Sequence, residues 1–62
     1  MTHKTMTQAK AHAAKSSQNR GLAYYVFNNG QEIWTASERV VRELYQGRAP
    51  VAIYVDGHCV AG

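Results

Sequence analysis

The chain has 62 residues, 45% of them hydrophobic and 18% charged, with a net charge of +3. That is one small domain of folded composition. A single Cys, a single Pro and the lack of a long apolar run exclude a disulfide framework, a closed zinc site built on cysteines and a membrane span. The opening Met1-Thr2-His3-Lys4-Thr5-Met6 is polar and lacks the apolar core of a secretory signal, so a soluble cytoplasmic protein is expected.

Residues 1–20 carry Lys4, Lys10, Lys15 and Arg20 and no acid. Residues 21–62 set Arg39, Arg42 and Arg48 against Glu32, Glu38, Glu43 and Asp56, three cations against four acids. The chain therefore reads as a basic N-terminal arm (1–20) joined to a nearly neutral core (21–62). Cations without compensating acids are the footprint of a polyanion binder, because each one near a phosphate releases condensed counterions. A solubilising tail is the plainer alternative.

Residues 5–19 predict a helix, since Ala9, Ala11, Ala13 and Ala14 are strong helix formers. Thr5 or Thr7 suits the N-cap, and Gly21 stands where a left-handed C-terminal cap belongs. The apolar face is thin: Met6, Ala9 and Ala13. Such a helix either docks through small side chains or orders on a partner.

Two β-rich runs, 22–27 and 31–36, flank Asn28-Asn29-Gly30. A two-residue turn centred on Asn29-Gly30 sets Asn28 opposite Gln31, Val26 opposite Ile33 and Tyr25 opposite Trp34. One face then holds Leu22, Tyr24, Val26 and Ile33; the other holds Tyr25, Phe27, Trp34 and Ala36. Both faces are apolar, so each needs cover.

Thr35-Ala36-Ser37-Glu38 fits a capping box, with Ser37 as an alternative cap. It opens a second helix that runs to about Gln46 and stops at Gly47. Val40, Val41 and Leu44 form its expected buried stripe. Glu38–Arg42 and Arg39–Glu43 are i,i+4 pairs on the wet side. Beyond Pro50, Val51-Ala52-Ile53-Tyr54-Val55 reads as a strand. Asp56-Gly57 is a tight turn returning His58-Cys59-Val60-Ala61, with Val55 opposite His58 and Ile53 opposite Val60. The fold class is α+β, in the order α-ββ-α-ββ: two antiparallel hairpins flanking the second helix.

Chemistry is not signalled. His58 and Cys59 are strand neighbours and point to opposite faces. His3 and His12 lack the i,i+4 spacing of a helical metal pair. The carboxylates of Glu38 and Glu43 each have an Arg beside them. The expectation is a non-enzyme with no cofactor and no metal.

Tyr25, Phe27 and Trp34 are either core, a stacking platform for unpaired bases, or a partner-binding protein face. The leading functional expectation is a small non-catalytic DNA- or RNA-binding regulator. In it Lys4, Lys10, Lys15 and Arg20 contact phosphates, and Arg39, Arg42 and Arg48 extend the track. The alternative is a protein-binding module, an inhibitor or assembly factor of a mobile element, using Tyr25, Phe27 and Trp34. So short a chain without a covalent staple is also expected to gain burial from a second copy, as a homodimer.

Gly30, Arg39 and Ile53-Tyr54-Val55-Asp56-Gly57, with the ββαββ order of residues 22–62, resemble the swapped-hairpin DNA-binding domains of the AbrB/MazE type. That resemblance implies an intertwined homodimer that binds DNA through its first-hairpin loops. Over residues 5–47 the α-ββ-α order also resembles the small head–tail joining protein of lambda-like phages, which implies a role in virion assembly.

Overall fold

The computed structural model describes residues 2–62. Its elements are β1 (Thr2–His3), α1 (Met6–Arg20), β2 (Tyr24–Asn28), β3 (Ile33–Ser37), α2 (Glu38–Leu44), β4 (Ala52–Val55) and β5 (His58–Ala61). The α+β class and the order α-ββ-α-ββ match the sequence reading, with the two-residue β1 added in front. The strands form one antiparallel sheet in the order β1-β3-β2-β4-β5. The two hairpins thus join edge to edge, Tyr24 opposite Tyr54 and Val26 opposite Ala52.

Local chemistry sets the boundaries of α1. The Thr5 hydroxyl accepts from the Gln8 amide at 3.2 Å, and Gln8 reaches back to accept from the Lys4 amide at 3.3 Å. At the other end Gly21 takes φ +69°, and its amide donates to the Ser17 carbonyl at 3.0 Å. Residues with a Cβ rarely adopt that backbone conformation.

Ala9, Ala13 and Ser17, spaced four apart, are fully buried against the sheet. Their small side chains let the helix axis come close. Tyr24, Val26 and Ala52 meet Ala9 and Ala13 in the main core, with Met6, Leu22, Ile33 and Tyr54 packed around it. α1 therefore supplies one side of the core.

The first hairpin differs in register from the sequence reading. Asn28 faces Ile33, Val26 faces Thr35 and Phe27 faces Trp34, around a four-residue loop, 29–32. The asparagine side chains explain the longer loop. Asn28 Oδ1 accepts from the Gly30 amide at 2.8 Å; Asn29 Oδ1 accepts from the amides of Gln31 at 2.9 Å and Glu32 at 2.7 Å. These Asx-type bonds replace the tight turn. The slip is by two residues, so every side chain keeps its expected face.

The second turn is the two-residue type, with Asp56 at φ +51° and Gly57 at φ +83°. Val55 faces His58 as read, but a bulge between Ile53 and Tyr54 brings Ala61, not Val60, opposite Ile53.

The larger correction concerns α2. Ser37, not Thr35, is its cap, because Thr35 stays in the strand opposite Val26. None of its residues is buried: Val40 is 37% exposed and Leu44 71%. The expected stripe of Val40, Val41 and Leu44 is not the core. β3 and β4 are both antiparallel to β2, hence parallel to each other, and α2 belongs to the crossover between them. The crossover passes over the face opposite α1 and anchors there through Tyr45, one residue past the helix.

Candidate interaction site

Alternation along β2 and β3 sends Tyr25, Phe27, Trp34 and Ala36 to the face opposite α1. Phe27 sits at the centre of an aromatic cluster. Its ring lies 6.3 Å from Tyr25, 5.5 Å from Trp34 and 5.4 Å from Tyr45, and Tyr45 is also 5.9 Å from Trp34. Phe27 is only 2% exposed, so it closes the cluster and offers no surface of its own. Tyr25 and Trp34 are half-buried. The Arg48 guanidinium lies over the Trp34 ring, 5.8 Å from its centroid. The Trp34 Nε1–H is buried without an acceptor.

The crossover covers only part of this face: α2 touches β3 and β2. On β4 the same face carries Ile53 and Val55, with Val51 just ahead of the strand. Val51 is 40% exposed and Val55 42%. With Tyr25 alongside, they make an apolar strip.

A second feature lies at the opposite side of the sheet. Among the described residues, β1 covers Ile33 and Trp34 of β3. Beyond it opens a groove of about 280 Å³ lined by His12, Arg20, Tyr24, Thr35, Ala36, Ser37, Val40 and Tyr45. Two hydrogen bonds set the phase of the strand here: Asn29 amide to Glu32 carbonyl, 3.2 Å, and Glu38 amide to Ala23 carbonyl, 2.9 Å. Residues alternate between bonding inward and outward along an antiparallel pair. Trp34 and Ala36 therefore bond inward to β2, while the peptide groups of Ile33 and Thr35 and the amide of Ser37 point outward, those of Thr35 and Ser37 toward the groove; the Ser37 carbonyl opens the hydrogen bonding of α2.

Two histidines that sequence spacing kept apart meet beside this groove. The His3 and His12 rings are 5.0 Å apart. His3 Nε2 shares a hydrogen bond of 3.3 Å with Thr35 Oγ1, and His12 Nε2 shares one of 3.3 Å with Ser16 Oγ. Burial, then the charge of His3, hold the His12 imidazole below its ordinary value of 6.5. No signal in the sequence announces the pair, since it depends on β1 docking against β3. Among the described residues no group of three potential metal ligands assembles. His58 faces Val55 while Cys59 pairs with Tyr54, whose phenol is pushed up by burial and then by Cys59.

The cations do not form one stripe. Lys10 and Lys15 stand roughly 140° apart around the helix at about 100° per residue. Lys4 precedes the helix cap, and Arg20 turns to the groove. Arg39 and Arg42 are exposed on α2, separate from Arg48 on the Trp34 ring.

No protein-family model, curated protein or solved structure matches the chain.

Proposed function

We propose that the chain is a non-catalytic protein-binding module that works through the sheet face opposite α1, and that its partner there is a second copy of itself. The strip of Val51, Ile53, Val55 and Tyr25 carries this reading, because among the described residues no helix or strand lies over it. Isolated exposed valines are ordinary, but a contiguous apolar strip beside half-open aromatics favours contact with another surface. The identity of the partner follows from burial. Among the described residues, one chain buries only three hydrophobic side chains larger than alanine, namely Tyr24, Val26 and Phe27. A core that small leaves little margin, and a second copy supplies the missing cover.

Sedimentation equilibrium across a wide concentration range tests this reading. The wild type is expected to dimerise, and Val55→Glu, an exposed position that tolerates the change in the monomer, to remain monomeric. A wild type that stays monomeric at the highest concentration reached would overturn the proposal.

Charge supports a second reading, nucleic-acid binding. The segment from Thr2 to Gly21 contains four cations and no carboxylate, while all four acids lie in loop 29–32, on α2 and in the second turn. Affinity for an oligonucleotide should then fall steeply with salt, and neutralising Lys4, Lys10, Lys15 and Arg20 together should abolish it. Salt-independent binding, or wild-type affinity in the neutralised variant, would dispose of this reading.

A further inference from the structure

We infer that the groove along the outer edge of β3 accepts an extended peptide segment as an added strand, with carboxylate and aliphatic side chains in alternation. This surface is distinct from the open face, and the inference holds whether or not that face pairs.

The floor of the groove is strand edge. The amide and carbonyl of Thr35 and the amide of Ser37 point into it, and β1, on Ile33 and Trp34, already shows that this side of β3 takes a strand. A strand laid further along the same row meets donors and acceptors in register, which is how edge addition gains its affinity. Unfilled strand edges are otherwise protected by charge, bulges or cover; here the two helices stand at either side of the groove, with Thr35 buried at its floor and Ser37 half-buried.

The walls specify the side chains. An added strand sends successive residues to opposite faces of the sheet. Toward α1 it meets Arg20 and His12, with Tyr24 close by. Toward α2 it meets Val40 and the Tyr45 ring. No carboxylate lines the groove. One row of the guest is thus matched by carboxylates and the other by aliphatic groups. Arg20, the last residue of α1, is exposed and therefore able to take up a carboxylate without first breaking a buried contact.

The test uses capped hexapeptides titrated into the isotope-labelled full chain, followed by amide NMR shifts. Four peptides alternate Val with Glu, Gln or Lys, the fourth being the Glu peptide N-methylated at its glutamates, whose amides face the edge in a strand laid antiparallel to β3, as β1 is. The Glu peptide is expected to shift the amides of Thr35 and Ser37, with the Gln and Lys peptides weaker in that order. N-methylation on the edge-facing side should remove binding, because it blocks the strand bonds. Arg20→Gln should weaken the Glu peptide about tenfold, the range of a charge-assisted hydrogen bond. Lys15→Gln, on the far side of α1, should leave it unchanged.

Equal binding of the Glu and Gln peptides would overturn the inference. So would insensitivity to N-methylation, or an equal effect of Lys15→Gln and Arg20→Gln, either of which would mean diffuse attraction to α1. A single-stranded oligonucleotide that moves the Thr35 and Ser37 amides more strongly than the Glu peptide would assign the groove to nucleic acid instead.

Discussion

The Gly57 amide donates to the Ser17 hydroxyl oxygen at 2.9 Å, across 40 residues of sequence. Ser17 in turn donates to the Ala14 carbonyl at 2.8 Å and is fully buried. One hydroxyl therefore ties the turn of the second hairpin to the last turns of α1, and the β4–β5 hairpin, whose β5 is otherwise exposed throughout, depends on it. Ser17→Ala leaves the Gly57 amide without this acceptor. The expected cost is about 1–2 kcal/mol, a Tm drop of roughly 5–15 °C in a domain of this size. Thermal unfolding followed by circular dichroism checks it, and an unchanged Tm would show that water replaces the hydroxyl at no cost.

The contact between α1 and the sheet runs through Ala9, Ala13 and Ser17, so the interface has no room for added carbon. Ala13→Leu should destabilise by roughly 1–3 kcal/mol through overpacking. Lys15→Leu, on the exposed side of the same helix, should stay within about 0.5 kcal/mol. Urea midpoints of the two variants compare them directly. Equal stability would mean that the helix is not seated as described.

The same interface explains what the sequence reading caught and what it missed. It caught α1 and both of its caps, because Thr5, Ala-rich composition and Gly21 act locally. It caught the Asp56-Gly57 turn for the same reason. It placed Tyr24, Val26 and Ile33 on one face and Tyr25, Phe27 and Trp34 on the other, since an even slip of register preserves alternation. It assigned the core to the wrong helix. Periodicity weights the large side chains of Val40, Val41 and Leu44 above the small ones of Ala9, Ala13 and Ser17. Close approach of a helix to a sheet rewards the small ones. The groove and the His3–His12 contact were not legible at all, because both follow from the docking of β1 on β3, a pairing of residues about thirty positions apart.

That contact makes stability depend on pH. Burial and the neighbouring His3 hold His12 below its ordinary value of 6.5. The unfolded chain therefore binds the proton more readily than the folded one. Stability is fully present above 6.5 and is lost as pH falls from there through the lower folded value. A scan of Tm from about pH 7 to about pH 5 should decline, and His12→Gln should flatten the decline. An identical slope in both proteins would assign the acid sensitivity to other groups.

Trp34 supplies the last prediction. Its Nε1–H is buried with no acceptor, an arrangement that costs about 1–3 kcal/mol relative to a satisfied group. Its ring nevertheless packs on Phe27 and Tyr45 and underlies Arg48. Trp34→Phe keeps most of the ring contact and removes the orphaned donor, so the two effects offset, and the variant should match the wild type within about 1 kcal/mol. Trp34→Ala removes the packing and uncovers Phe27, and should cost roughly 2–4 kcal/mol, somewhat below a fully buried tryptophan. Denaturant unfolding of the three proteins separates the terms. If Trp34→Phe were as damaging as Trp34→Ala, the indole N–H would have to be making a bond, and the aromatic cluster would have to be rebuilt around that acceptor.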